Sequence, residues 1–513
     1  GQGLFRIKPD DSVQHFMPDT SQPGLPDENV LSLALDKQDV LWIATSSGIV
    51  KWKNEKFSVF DNNQLSSKVI INLMPDINSG MWLGTNKGLD FVDRQGRIEK
   101  PIWRDQLTDQ RIMAVLADNN TTRIFVARNG LNKVNHGVVE QLRVNDKFLT
   151  AFKDQSGGFW FGSEQGLLRQ PVDWRYFKAF QSDAILQQSL RNKTPNDYHA
   201  MPGGSLLIVG SSGAIDRFWP ETGVVQNINS QQSMQELINI ESVMVDQSGA
   251  VWTGANIANE PSLLRYDADF AKYVMWNQNS TVDAGLLGPI KHILQANDGL
   301  VWVSYYGGGV QARNSVTGQV IYSITPDNKR GLKFPDPEQL FMGPDNSLWL
   351  AGGEGLLRWS IKDSAFLPVA GSPKERIYSV HFIAPNTLWL GRLGTLEAYQ
   401  WQNNTLTVQQ TISGDEGLPA VDIIGINSDK SGVLWLTSSR GLMRFNPKTK
   451  RVRVYSINDG LLSQEFTQRA PYFSQSGQAI VLNSSGLISF NPSQMANHNT
   501  KLRLVIESIS LRR

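Results

Sequence analysis

Few residues in this chain have the types and spacing needed for covalent chemistry. The six histidines, at 15, 136, 199, 292, 381 and 498, are scattered without metal-ligand spacing. There is no cysteine, which removes thiol nucleophiles and disulfides. Neither a Gly-x-Ser-x-Gly elbow nor a Walker-type phosphate loop occurs. Carboxylates are plentiful, but most fall in turns, as at Asp36, Asp154 and Asp246. A glycosidase needs two carboxylates roughly 5–10 Å apart, and distant segments can supply such a pair. A polysaccharide-degrading enzyme therefore stays open as an alternative. The chemistry suggested most directly is non-covalent. In "VWVSYYGGGV", Tyr305 and Tyr306 offer flat apolar faces with hydroxyl handles, suited to a sugar's alternating surfaces. Gly307, Gly308 and Gly309 allow a close backbone approach. In "LWLGRLGTLEAY", Arg392 offers a forked donor. Tyr305, Tyr306 and Arg392 are the expected ligand-binding residues. No catalytic residue, metal ligand or cofactor is expected.

These residues interrupt a repeat. The stretch "DKSGVLWLTSSRGLMRFNP", 429–447, reads as an Asp-to-Gly turn, a buried strand, a second turn and a second strand. An upstream strand at 421–426 and a half-exposed one at 451–455 complete a unit of four short strands. The inner strand recurs around Trp42, Trp82, Trp160, Trp252, Trp302, Trp349, Trp389 and Trp435, and in degenerate form near Phe125, Leu207 and Ile480. Four-stranded units at roughly 40–45 residues are propeller blades, typically 4–8 to a ring. Eleven to twelve units therefore predict an all-β chain of two tandem β-propellers with six to seven blades each. The expected division is 1–285 and 286–500, with the boundary between 230 and 330. Trp at a repeated position reads as inter-blade core. Trp103, Trp174, Trp219, Trp276 and Trp401 fit the repeat poorly and are further candidates for stacking on a sugar.

Composition narrows the function classes. Hydrophobic residues are 40% and charged residues 19%, so the chain is globular. Net charge is +1 and no basic block stands out, which argues against nucleic acid. No apolar run approaches the roughly 20 residues needed to span a bilayer, and no signal peptide is present. The chain opens in mid-repeat at Gly3-Leu4-Phe5-Arg6-Ile7, as a trimmed fragment does.

The units resemble the two-component regulator propeller repeat, most closely in "GMWLGTNKGL" (80–89), "NSLWLAGGEGLLRW" (346–359) and "GVLWLTSSRGLMRF" (432–445). Gly24-Leu25-Pro26 and Gly417-Leu418-Pro419 match its linking element. Residues 501–513 are similar to the first strand of the triple-tyrosine immunoglobulin-like domain that follows such propellers. The resemblance implies the periplasmic sensor region of a membrane-bound bacterial receptor. A histidine kinase or diguanylate cyclase output would lie outside this chain. It also implies a carbohydrate or other small-molecule ligand and a homodimer in the full-length receptor. A protein-interaction scaffold without a small ligand is the remaining alternative. The loops around Tyr305, Tyr306 and Arg392 depart from the repeat, and departures from a structural repeat are where binding sites are grafted.

Overall fold

A computed structural model describes residues 2–495 except 20–23, 145, 156, 171–175, 183–188, 229–236, 281–284, 329, 334–335 and 384. The segment 501–513, read above as the start of an immunoglobulin-like domain, lies outside the described residues. The chain forms two compact units, Gly1–Val172 and Asp173–Arg513. The division thus falls well before the expected boundary near 285.

The reason is ring closure in the second unit. A three-residue strand, Lys178–Phe180, pairs antiparallel with Gly486–Phe490 and becomes the outer strand of the last sheet. Residues 178–490 therefore form one closed body. Among the described residues it contains seven four-stranded antiparallel sheets, here blades C1 to C7. Their inner strands are Pro195–Ala200, Leu237–Val245, Ile290–Gln295, Gln339–Met342, Ser379–Ile383, Ile423–Ser428 and Tyr472–Phe473. Side chains of C7 (Ile480, Leu482, Leu487) pack with those of C1 (Leu206, Ile208, Phe218), which closes the ring.

The first unit holds a two-stranded hairpin, Leu4–Ile7 with Val13–Phe16, three four-stranded blades and a three-stranded sheet, Phe148–Lys153, Phe159–Ser163 and Gly166–Gln170. Among the described residues this falls short of the six to seven blades expected of each ring.

The repeat has a polar element inside its apolar core. The turn aspartate accepts backbone N–H groups through one oxygen and the tryptophan indole N–H through the other. The indole bond is 2.8 Å for Asp36–Trp42, Asp76–Trp82, Asp154–Trp160 and Asp246–Trp252, and 3.0 Å for Asp429–Trp435. Asp345 makes the same bond to Trp349, at 2.9 Å, from two residues closer. Indole burial between blades is thereby combined with a satisfied N–H, as a buried tryptophan requires. Trp252, Trp302, Trp349 and Trp435 are fully buried. Trp82, expected to match them, is only partly buried. Its blade has an outer strand of two residues, Ile98–Glu99, and Phe91 lies beside the indole at 4.5 Å.

Candidate binding site at the ring axis

The inner strands of the second unit carry polar side chains that tie each blade to another. Asn196 of C1 donates to Asn239 (2.8 Å) and to the Ile240 carbonyl (3.0 Å) of C2. Ser242 and the Val243 N–H of C2 donate back to Asp197 (3.0 and 2.9 Å). Lys291 of C3 pairs with Glu338 at the start of C4 at 2.6 Å. The Val380 N–H of C5 donates to Gln339 of C4 (2.8 Å), and Ser379 to the Ile423 carbonyl of C6 (2.6 Å). Asn427 of C6 donates to the Pro471 carbonyl (2.8 Å). The Tyr198 hydroxyl of C1 reaches the Ala470 carbonyl (2.9 Å).

Arg469 extends furthest. It precedes the inner strand of C7 and donates through Nε and Nη2 to Asp197 of C1, the Nη2 bond being 3.1 Å. The same Nη2 donates to the Lys291 carbonyl of C3 at 3.2 Å. One guanidinium therefore joins three blades at the axis. Burial works against its charge, but Asp197 more than offsets this and raises its pKa. A cavity of ≈ 240 Å³ adjoins it, lined among others by Tyr198, His292, Glu338, Tyr378 and Gln468.

Tyr306 lies on the turn after Val301–Tyr305, is 44% exposed, and carries the Lys291 ammonium 5.2 Å from its ring centroid. Burial, and next the Glu241 carboxylate, raise its hydroxyl pKa. Burial also raises the pKa of Glu241, against the opposing hydrogen bond from Asn239. His292 is pushed down to about 3 by burial, with Arg469 adding to the effect, so the imidazole is neutral at neutral pH. The Tyr306 turn is fixed by the Gly307 N–H, which donates to Asp336 at 2.6 Å.

The three expected site residues are not equivalent. Tyr305 is fully buried, and its hydroxyl donates to Gln311 at 2.6 Å, with Arg313 at 3.5 Å. It belongs to the packing between C2 and C3 with Trp252 and Trp276, so its expected place on a binding surface is corrected. As the last residue of the strand it points into the core, while Tyr306 is the first to leave the ladder. Arg392 ends Thr387–Arg392 of C5 and belongs to the same ring as Tyr306. Its guanidinium is held by Glu397 (3.1 Å) and Glu375 (3.2 Å). Glu338 receives both Lys291 and Arg376 (3.2 Å), next to Glu375. Trp276 and Trp401 are buried against Trp252 and Trp349. Trp103 packs between Trp82 and Phe125. Trp174 lies outside the described residues.

Sequence reading missed Asp197, Glu241, Lys291, Glu338 and Arg469. Two left a usable signal. "LINIESVMV" and "IKHILQ" place a charge, Glu241 or Lys291, in the middle of an inner strand, which a largely buried strand accepts only beside a partner. Tyr306 presents a half-exposed ring whose hydroxyl feels the Glu241 carboxylate, and neither residue lines the cavity beside Arg469. Among the described residues no group of three His, Cys, Asp or Glu is arranged to hold a metal ion.

Residues 24–47 match the family model described as "Two component regulator propeller", so the chain carries that repeat. Histidine kinase P4 of Formosa agariphila is 23% identical over 232 residues, 42% of this chain and 16% of the relative. The chain thus aligns with about a sixth of that protein's length. In the solved structures, the extracellular domain of a B. thetaiotaomicron protein described as a hybrid two component system superposes with a TM-score of 0.57. The alignment covers 95% of this chain and 72% of that one at 15% identity, a likeness of fold.

Proposed function

We propose that this chain is the extracytoplasmic ligand-sensing region of a bacterial membrane-bound signalling receptor, and that it binds its ligand without converting it. The observation that carries the reading is Arg469. A partly buried guanidinium holding blades C7, C1 and C3 together at the axis gives a ligand at Tyr306 a route to the packing of the whole ring. A ligand shifts a receptor only through differential affinity for its states, and contacts shared by several blades supply that difference. The two-component regulator repeat and the fold shared with an extracellular domain support the setting. No helix among the described residues is long and apolar enough to cross a membrane.

The ligand is a carbohydrate or another small neutral molecule. Tyr306 offers a half-exposed ring, and the charged groups of the axis largely neutralise one another. The enzymatic reading rests on Glu241, whose raised pKa suits a general acid. A panel of oligosaccharides and small metabolites, read for both melting temperature and new products, tests the two readings together. Binding should raise the melting temperature, Tyr306→Ala should remove that rise, and no product should form. Turnover abolished by Glu241→Gln would establish the enzyme instead.

A further inference from the structure

Blade C6 carries a charge imbalance concealed by the near-neutral total. The chain is +1 overall, yet "RFNPKTKRVR", 444–453, contains Arg444, Lys448, Lys450, Arg451 and Arg453. The absence of a basic block, read from the sequence, is corrected here. Pairing of Gly441–Asn446 with Arg451–Tyr455 folds these residues onto one sheet and sets Arg444 directly opposite Arg453. Like charges directly opposite on a ladder repel. Lys430, in the turn of the same blade, turns its ammonium to the Gln475 carbonyl. Lys448, Lys450 and Arg451 are exposed. Among the described residues no carboxylate is in ion-pair distance of Lys430, Arg444, Lys448, Lys450 or Arg451.

Arg444 breaks the repeat's own pattern. A cation opposite the repeat tryptophan, which lies on the strand next to the inner one, recurs, and in other blades it approaches an aspartate or the tryptophan ring. Arg358 pairs with Asp345 at 2.6 Å and Lys51 lies 3.9 Å from the Trp42 ring centroid, while Arg265, whose Nε is likewise buried without a hydrogen bond, still lies 3.8 Å from the Asp246 carboxylate. The corresponding Asp429 is already occupied by the N–H groups of Ser431, Val433 and Trp435 and by the Ser431 hydroxyl. Among the described residues Arg444 makes no hydrogen bond, and its Nε is buried without a partner. It lines a cavity of ≈ 320 Å³ together with Asp429, whose oxygens are taken up by the bonds just named, and with Lys430, Ser431, Ser476 and Ser493. Glu221 of C1 approaches this side and accepts the Ser476 hydroxyl at 2.6 and 2.8 Å.

We propose that this cavity seats an oxyanion group of a ligand, a sulfate, phosphate or carboxylate, on the Arg444 guanidinium, and that Lys448, Lys450 and Arg451 hold further oxyanions of the same ligand. The planar fork of a guanidinium matches such groups in bidentate fashion, and the anion supplies a partner to the Arg444 Nε. The site is remote from Tyr306 in sequence and blade, so it stands or falls independently of the axial reading.

The test uses the whole chain at 50 mM and 200 mM salt with four probes: inorganic sulfate, dextran sulfate, polyphosphate, and vesicles containing phosphatidylglycerol. At least one probe should bind at 50 mM salt. A polymer or vesicle should lose at least tenfold in affinity at 200 mM, because several charges are neutralised together. Arg444→Gln should weaken binding at least fivefold. The double substitution Lys448→Glu, Lys450→Glu, which alters only exposed side chains, should do the same. Arg358→Gln, at the equivalent position of another blade, should leave it within twofold. Polymer binding assigns an acidic polymer as the source, and vesicle binding alone assigns a lipid headgroup. The proposal is overturned if no probe binds at 50 mM salt. It is also overturned if both the Arg444 and the Lys448/Lys450 variants bind like the parent.

Discussion

Two adjacent tyrosines have opposite roles, and the difference is one residue of ladder. Tyr305 is fully buried with its hydroxyl bonded, whereas Tyr306 is 44% exposed. Tyr305→Ala should cost roughly 3–5 kcal/mol in denaturant unfolding, because it opens a cavity and removes one of the donors to Gln311, which keeps its bond from Arg313. Tyr306→Ala should stay within about 1 kcal/mol. The sequence showed that "YYGGG" departs from its repeat but not which ring leaves the sheet, since that depends on where the hairpin register ends. His292 gives a pH prediction. Its folded pKa of about 3 lies below the ordinary 6.5. The neutral imidazole is therefore favoured by the fold, and stability is fully present above pH 6.5. It falls as pH drops from 6.5 toward 3, where the unfolded chain binds the extra proton. The upper bound is about 1.4 kcal/mol per pH unit. His292→Gln should flatten unfolding free energy against pH across that window; an unchanged slope would assign the loss to other groups.

The four-strand unit and the burial of most of its tryptophans were legible from period and composition. Turn chemistry also read correctly, since Gly249 and Gly432 take the positive φ that the Asp-to-Gly turn needs. The aspartate-to-indole bond was not read, although Asp stands six residues before Trp in five copies. A turn residue that also caps a core side chain looks no different in sequence from one that only makes the turn. Blade C3 has Ala296 at that position, and the buried Trp302 N–H has no partner among the described residues. Ala296→Asp should raise the melting temperature by supplying the missing acceptor, worth about 1–3 kcal/mol for a charged acceptor. Asp246→Ala, which removes the same bond from Trp252, should lower stability by a similar amount. Equal melting temperatures for both variants and the parent would show that the bond is only geometric.

At the scale of the whole molecule, the repeat predicted blades, but ring closure depends on contacts distant in sequence. The closing strand Lys178–Phe180 is too short to carry a signature, and Arg469 meets Asp197 across 272 residues. Those two contacts place the division near 172 and not near 285. Arg469→Ala should destabilise the second unit by about 3–5 kcal/mol, because Asp197 is left as an uncompensated buried carboxylate. Arg469→Ala with Asp197→Asn should recover part of that loss. The central claim is that the ring axis binds a ligand and leaves it intact. The direct measurement is a calorimetric titration of the whole chain with a compound that stabilises it, followed by chemical analysis of the same sample. The account predicts saturable binding of one ligand per chain, at least tenfold weaker in Tyr306→Ala, with the compound recovered unchanged. Undiminished binding by Tyr306→Ala, or conversion of more compound than there is protein, would contradict it.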